Sequence, residues 1–414
     1  MRWTRAALVT VLAMACASPA LSACASGAQP AAPPAGRATG SPPPSRSPEP
    51  GWAGTWAVGV QAGGEGFEDQ TLRQIVHTSI GGDKVRLRLS NEFGAAPLSV
   101  TGVGLALPTG GAGIDLASAR AVTFGGANAV TIPAGSTATS DELAFTVAAG
   151  SDLTVSMYLP EATGAPTEHV FAGRTNYAAP GDQFAAAGLR ESRSTGAYYF
   201  LSGLDVHNTA ASGALVAFGA SVTDGLGSKA GTNQRWPDLL AARLRSSGRT
   251  VGVLNTGISS NRLLSDGPGG ESALKRFDRD VLQRPGARWV IISDEPANDL
   301  GNDSSVRAES LTGGLRELVD SAHDAGIKVI CSTLTQAGGA SYWSDEAEAG
   351  RGAYNAYVRG STSGCDAVLD LDAATRDPAD PTRLRPSFDS GDHLHPNNAG
   401  MKAIADAVDL SWFG

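Results

Sequence analysis

The chain has 414 residues, too many for one hydrophobic core, since cores stop growing near roughly 250–300 residues. Lys and Arg number 32 against 41 Asp and Glu, a formal net charge of −9, which argues against a nucleic-acid partner, because such proteins carry a basic patch or stripe. A hydrophobic content of 42% excludes wholesale disorder, and four Cys, two of them within the first 24 residues, exclude a disulfide-dense scaffold and a four-thiolate zinc site.

Arg2 and Arg5 precede an apolar run from Ala6 to about Ala20. The run is shorter than the ~20 residues a membrane-spanning helix needs, and with its positive flank and small closing residues it reads as an export signal. It ends in Leu21-Ser22-Ala23-Cys24, which resembles a bacterial lipobox, in which the Cys is acylated and becomes the first mature residue. An ordinary cleavable signal with an incidental Cys24 is the alternative. Residues 25–50 are almost wholly Ala, Pro, Gly and Ser, a composition that builds no core and serves as a tether. The expectation is a lipoprotein signal over 1–24, a linker over 25–50, and an extracellular protein held at the cell surface through a lipid on Cys24. Export permits a disulfide between the two remaining cysteines, Cys331 and Cys365; two separate buried thiols are equally consistent.

From Trp52 to about His207 the pattern is short strands and turns. Val85-Arg86-Leu87-Arg88-Leu89 alternates apolar and charged residues, as do Leu153, Val155, Met157 and Leu159 with their neighbours, the period of a half-buried strand. Leu98 to Leu107 alternates with a slip of phase at Gly102, which predicts a β-bulge. Gly pairs and Pro97, Pro133 and Pro160 punctuate the runs. An antiparallel β-sandwich over 51–210 follows. His77, His169 and His207 each stand alone in it and are read as ordinary surface or core residues.

After Gly213 the texture changes. Apolar runs at Leu215–Phe218, Val251–Leu254, Trp289–Ile292, Lys328–Ile330 and Ala367–Leu371 read as strands covered on both faces. Between them Trp236, Leu239, Leu240 and Leu244 share one helix face, with Pro237 in the first turn, and Leu311, Leu315, Leu318 and Ala322 share another, closed by Gly326. Met401, Ile404, Ala405, Val408 and Trp412 are expected on the apolar face of a last helix. Five strands alternating with helices make an open parallel α/β sheet over 211–414, with the ligand site beyond the carboxyl ends of its strands.

Four short blocks stand out, three at those ends and one ahead of the last helix. Gly219-Ala220-Ser221-Val222 follows the first strand and could expose a serine near a helix N-terminus; a buried turn serine is the bland reading. Asn255-Thr256-Gly257 follows the second, where a glycine lets a backbone N–H approach a ligand or simply turns the chain. Glu295-Pro296-Ala297-Asn298-Asp299 follows the third, and Asn298 suits an oxyanion donor or a helix cap. Asp392-His393-Leu394-His395-Pro396 precedes the last helix, with an acid three residues before a histidine it could orient while the imidazole takes a proton from Ser221. A zinc site on His-x-His with the Asp is the rival reading of this block.

The four blocks in this order resemble the SGNH (GDSL-type) hydrolases, over a stretch from about Leu215 to the C-terminus. Thr223-Asp224-Gly225, Arg235-Trp236-Pro237 and Asn261-Arg262 add to the likeness. The stretch from Trp52, with Thr71-Leu72-Arg73-Gln74 and Ser90-Asn91-Glu92-Phe93-Gly94, is similar to secreted bacterial members with an N-terminal β-sandwich. The resemblance implies a flavodoxin-like five-stranded sheet and ester hydrolysis. It implies Ser221 as nucleophile, His395 as base, Asp392 as its partner, and the Ser221 N–H, the Gly257 N–H and the Asn298 amide as oxyanion donors. Two positions depart from the family pattern: Ala220 stands where the family has Asp, and Pro296 where it has Gly. The first takes a carboxylate from beside the nucleophile; the second fixes φ and removes an N–H ahead of Asn298.

The expected protein is a monomeric, surface-tethered serine esterase needing no metal or organic cofactor and acting on a carboxylic ester, such as an acylated polysaccharide, a lipid or a small ester. A catalytically weakened glycan-binding lipoprotein and an acyltransferase on the same triad are the alternatives.

Overall fold

In a computed structural model of the chain, residues 49–414 are described. The expected signal, most of the linker and Cys24 lie outside the described residues.

Residues 52–207 form antiparallel sheets, the two largest of six and five strands. Asp152–Leu159 pairs with Gln70–His77 in unbroken register, from Asp152 opposite His77 to Leu159 opposite Gln70. The alternation read from sequence sets the burial. Val85, Leu87 and Leu89 come from the five-stranded sheet and Leu153, Val155 and Met157 from the six-stranded one, and all six meet in one core. Period-2 alternation gives each sheet one apolar face, and the faces close on each other. Gly102 is not a bulge. With φ of +93° it lets the chain leave one sheet and enter another: Leu98–Thr101 pairs with Ala129–Ile132, and Val103–Ala106 pairs with Asp152–Leu159. The phase slip in the sequence marks that change of partner.

The second half is a five-stranded parallel sheet built from Gly213–Phe218, Val251–Asn255, Ala287–Ile292, Lys328–Ser332 and Ala367–Leu369, in spatial order second, first, third, fourth, fifth. This is the flavodoxin-like order. Along the first strand Ala214, Val216 and Phe218 face one helix layer, with Leu311, Leu315 and Leu318. Leu215 and Ala217 face the other, with Trp236, Leu240, Met401 and Ile404. Both faces are covered, so the strand reads as a continuous apolar run. The last helix is shorter than expected: it ends at Ala407, and Trp412 sits in a separate turn, Leu410–Phe413, whose first residue follows the cap Asp409. Cys331 and Cys365 form a disulfide with Cα atoms 5.8 Å apart, tying the fourth strand to the segment entering the fifth.

The antiparallel and parallel parts pack as one compact unit. The first antiparallel strand, Trp52–Ala57, lies against the edge strand Val251–Asn255, and glycines make the approach. A Cβ on Gly252 would sit 2.1 Å from the Gly54 carbonyl oxygen, and one on Gly54 would sit 2.8 Å from Leu254. The Ser90–Gly94 corner also reaches across: Glu92 pairs with Arg279 at 3.5 Å, and the Arg279 guanidinium lies over Phe93. No helix among the described residues is long and apolar enough to cross a membrane.

Candidate active site

The first parallel strand stops at Phe218, and Ser221 opens a four-residue helix, Ser221–Asp224, closed by Gly225 at φ +105°. The turn between them tolerates no side chain at Gly219, where a Cβ would stand 2.1 Å from Thr223 Oγ1 and 2.5 Å from Asp294 Oδ1. Ser221 is buried, with 9% of its surface exposed.

His395 comes from the far end of the chain. Its loop is pinched by a bridge between Asp389 and Pro396 and by the Ser390 N–H donating to the His395 carbonyl. His395 Nε2 lies 2.9 Å from Ser221 Oγ, and Nδ1 lies 2.6 Å from Asp392 Oδ2. The other Asp392 oxygen accepts from the N–H groups of His395 and Leu394 at 2.8 and 3.0 Å. Burial pushes the Asp392 carboxyl up, but those N–H groups and the imidazole outweigh it and hold it down at about 2. Asp392 is therefore a carboxylate throughout the range in which the imidazole could exchange a proton, and the carboxylate fixes which ring nitrogen faces it.

His393 turns elsewhere. Its backbone is left-handed at φ +63°, and its Nδ1 lies 2.6 Å from Asp389. The two histidines thus serve two separate carboxylates. Among the described residues no group of three or more His, Cys, Asp or Glu side chains is arranged to hold a metal ion.

The three expected oxyanion donors differ in state. The Ser221 N–H has no hydrogen-bond partner among the described residues. Asn298 donates one amide hydrogen to the Asn261 carbonyl at 2.9 Å and keeps the second. The Gly257 N–H donates to Asn255 Oδ1 at 3.0 Å, so it could serve a substrate only by trading that bond. Gly257 does press on the Ser221–Asp224 helix: a Cβ there would stand 2.4 Å from the Asp224 nitrogen. Pro296 is accommodated, because it occupies the first turn of the helix Glu295–Asn302, where a missing N–H costs nothing. Beside Asn298, Asp299 accepts from the N–H groups of Leu263 and Leu264 at 2.6 and 3.1 Å. The pair clips the loop that follows Gly257.

Several groups that hold the site carry no sequence signal. Arg276 is fully buried; it donates to the carbonyls of Gly219 at 2.9 Å and Thr256 at 2.7 Å and to Asn261 Oδ1 at 2.9 Å. One guanidinium so joins the turn before Ser221, the turn before Gly257 and the loop that holds Asn298. Asp294, one residue past the third strand's Ile292–Ser293 exit, accepts from the N–H groups of Ala220 and Val222 on either side of Ser221. His169, read from sequence as an ordinary histidine, reaches across from the antiparallel part. Its Nε2 lies 3.1 Å from Asp224 Oδ1 and its Nδ1 2.8 Å from the Gly59 carbonyl, while Asp224 Oδ2 accepts from Ser259 Oγ at 2.7 Å. His77 and His207 pair with Asp152 and Asp83.

Residues 217–403 match the model of the GDSL-like Lipase/Acylhydrolase family. The chain is similar in fold to solved structures that include a GDSL-like lipase from Bacteroides thetaiotaomicron, at 17% identity over 47% of this chain and 85% of that one with a TM-score of 0.35. They also include Axe2, an acetylxylan esterase from Geobacillus stearothermophilus, at 22% identity over 49% of this chain and 95% of that one with a TM-score of 0.38. A search of curated proteins finds no match. Over residues 217–403 the parallel α/β part of the chain is thus similar to the GDSL-like lipase/acylhydrolase family, a likeness that supports a carboxylic ester hydrolase.

Proposed function

We propose that the protein is a serine esterase working through an acyl-enzyme, with Ser221 as nucleophile, His395 as general base and Asp392 orienting the imidazole. The observation that carries this reading is the line from Asp392 through His395 to Ser221, at 2.6 and 2.9 Å. Ser221 Oγ attacks the ester carbonyl carbon as its proton passes to His395 Nε2. The carbonyl oxygen takes up the negative charge, facing the Ser221 N–H and the free amide hydrogen of Asn298, with the Gly257 N–H joining if it leaves Asn255. His395 then returns the proton to the departing alkoxide. Water, deprotonated by the same imidazole, releases the acid and restores the serine. Covalent labelling of Ser221 by a fluorophosphonate, with loss of p-nitrophenyl ester hydrolysis in step with labelling, is the expected result. Undiminished hydrolysis by the labelled protein would overturn the reading.

The substrate is a carboxylic ester of a glycan, a lipid or a small alcohol, and p-nitrophenyl esters of increasing acyl length will rank these. We also propose that the enzyme works outside the cell, tethered through a lipid on Cys24. The motive is the Leu21–Cys24 box followed by the Pro-rich stretch. Cys24→Ser is expected to move the protein out of the detergent phase in a phase-separation assay; an unchanged partition would count against the anchor.

A further inference from the structure

The amides around the nucleophile do not share one fate. The N–H groups of Ala220, Val222 and Thr223 all donate to the Asp294 carboxylate, at 3.0, 2.8 and 3.3 Å, and Thr223 Oγ1 donates to it at 2.6 Å. Only the Ser221 N–H between them is left without a partner among the described residues. Asp294 is 3% exposed, so these bonds form away from water, where an unmade one is costly. Asp294 also occupies the cap position of the helix Glu295–Asn302, yet its side chain makes no capping bond to that helix. An aspartate there would ordinarily accept from its own helix's first turn; here the carboxylate is turned entirely to the neighbouring element. Ala220, beside the serine, offers no side-chain acceptor of its own.

We propose that Asp294 is a positioning residue for the nucleophile: it gathers the amides on either side of Ser221 onto one carboxylate, which sets Oγ against His395 and leaves the Ser221 N–H as the one amide of this turn free to join the Asn298 amide at the developing oxyanion. The carboxylate missing at Ala220 is thus supplied from the end of the third strand. This rests on the serine-esterase reading.

The test is kcat per active site, with sites counted by fluorophosphonate titration. Asp294→Asn keeps the shape but turns an NH2 group toward one of the N–H or hydroxyl donors. The expected result is a fall in kcat per titrated site of about 100-fold with KM held within about twofold, since a misplaced nucleophile loses rate rather than binding. A merely structural role would lower the number of titratable sites and leave kcat per site at the parent value, and that result would overturn the proposal. Thr223→Val removes the shortest of the four bonds in a chain expected to fold, and a loss of about fivefold per site is anticipated for one hydrogen bond. An unchanged per-site rate in this variant would also overturn it. Ser221→Ala separates the two levels: parent-like hydrolysis by Ser221→Ala removes the esterase reading itself, whereas its loss beside a normal per-site rate in Asp294→Asn removes only the role of Asp294.

Discussion

The Arg276 guanidinium donates to the Gly219 carbonyl at 2.9 Å, two residues ahead of Ser221, although Arg276 stands in a helix far along the chain with no exposed surface. It also faces Asp280 at 3.2 Å and Glu295 at 3.6 Å. Replacing it by Met leaves the Thr256 carbonyl and Asn261 Oδ1 without a donor, and the Gly219 carbonyl with only the Ile258 N–H. The expected cost is about 3–5 kcal/mol, the range for breaking a buried charge pair, with a parallel loss of esterase activity. Urea unfolding followed by fluorescence measures the first, and a p-nitrophenyl ester assay the second. A variant within about 1 kcal/mol of the parent would show that the guanidinium does not hold the loops together.

Glu295 is buried beside that guanidinium, and neither of its carboxyl oxygens has a hydrogen-bond partner. Burial pushes the carboxyl up from 4.5 to about 8; Arg276 opposes the rise and Asp294 adds to it. The folded state therefore keeps a proton that the unfolded chain releases between pH 4.5 and about 8. With fewer protons bound in the unfolded state, stability falls as pH rises through that window, by up to ~1.4 kcal/mol per unit, and levels off above it. Glu295→Gln, which cannot ionise, is expected to flatten this decline. Equal slopes for parent and variant in denaturation series across the window would refute the assignment.

His393 and His395 are two residues apart but face different carboxylates, Asp389 and Asp392. His395→Ala is expected to lower kcat by roughly 10⁴-fold or more, as loss of a triad member does, and His393→Ala by less than about tenfold. Asp392→Ala should fall between, because the imidazole keeps its contact to Ser221 but loses its orienting partner. Comparable damage from the two histidine variants would point to a shared role, such as a common ligand, and away from the triad.

The Cys331–Cys365 bond closes a loop across 34 residues. Chain-entropy reasoning puts the stabilisation from a loop of that size at about 3–4 kcal/mol. The double variant Cys331→Ala, Cys365→Ala is expected to lose about that much in equilibrium unfolding. A difference below about 1 kcal/mol would mean that the unfolded chain gains little freedom when the bond is removed.

The architecture was legible along the chain because it rests on local periods. Val85, Leu87 and Leu89 alternate since one face of their sheet is core. Leu215 to Phe218 run apolar without a break since both faces are. The blocks around Ser221, Gly257, Asn298 and His395 stood out because each follows a strand end or precedes a helix, and turns demand particular residues. What no local pattern announces is partnership across distance. Gly102 looked like a bulge because a slip of phase is the same in sequence whether a strand kinks or changes sheets; only the pairing of Leu98–Thr101 and Val103–Ala106 with different strands separates the two. His169 looked inert until folding set it against Asp224, 55 residues on. Arg276 and Asp294 read as one more charge in a helix and one more aspartate after a strand. Their roles come from burial, which strips away water and leaves each charge to whichever carbonyl or N–H the chain topology brings within 3 Å or so. That choice is made by the meeting of strand ends in three dimensions, and a linear pattern carries no record of it.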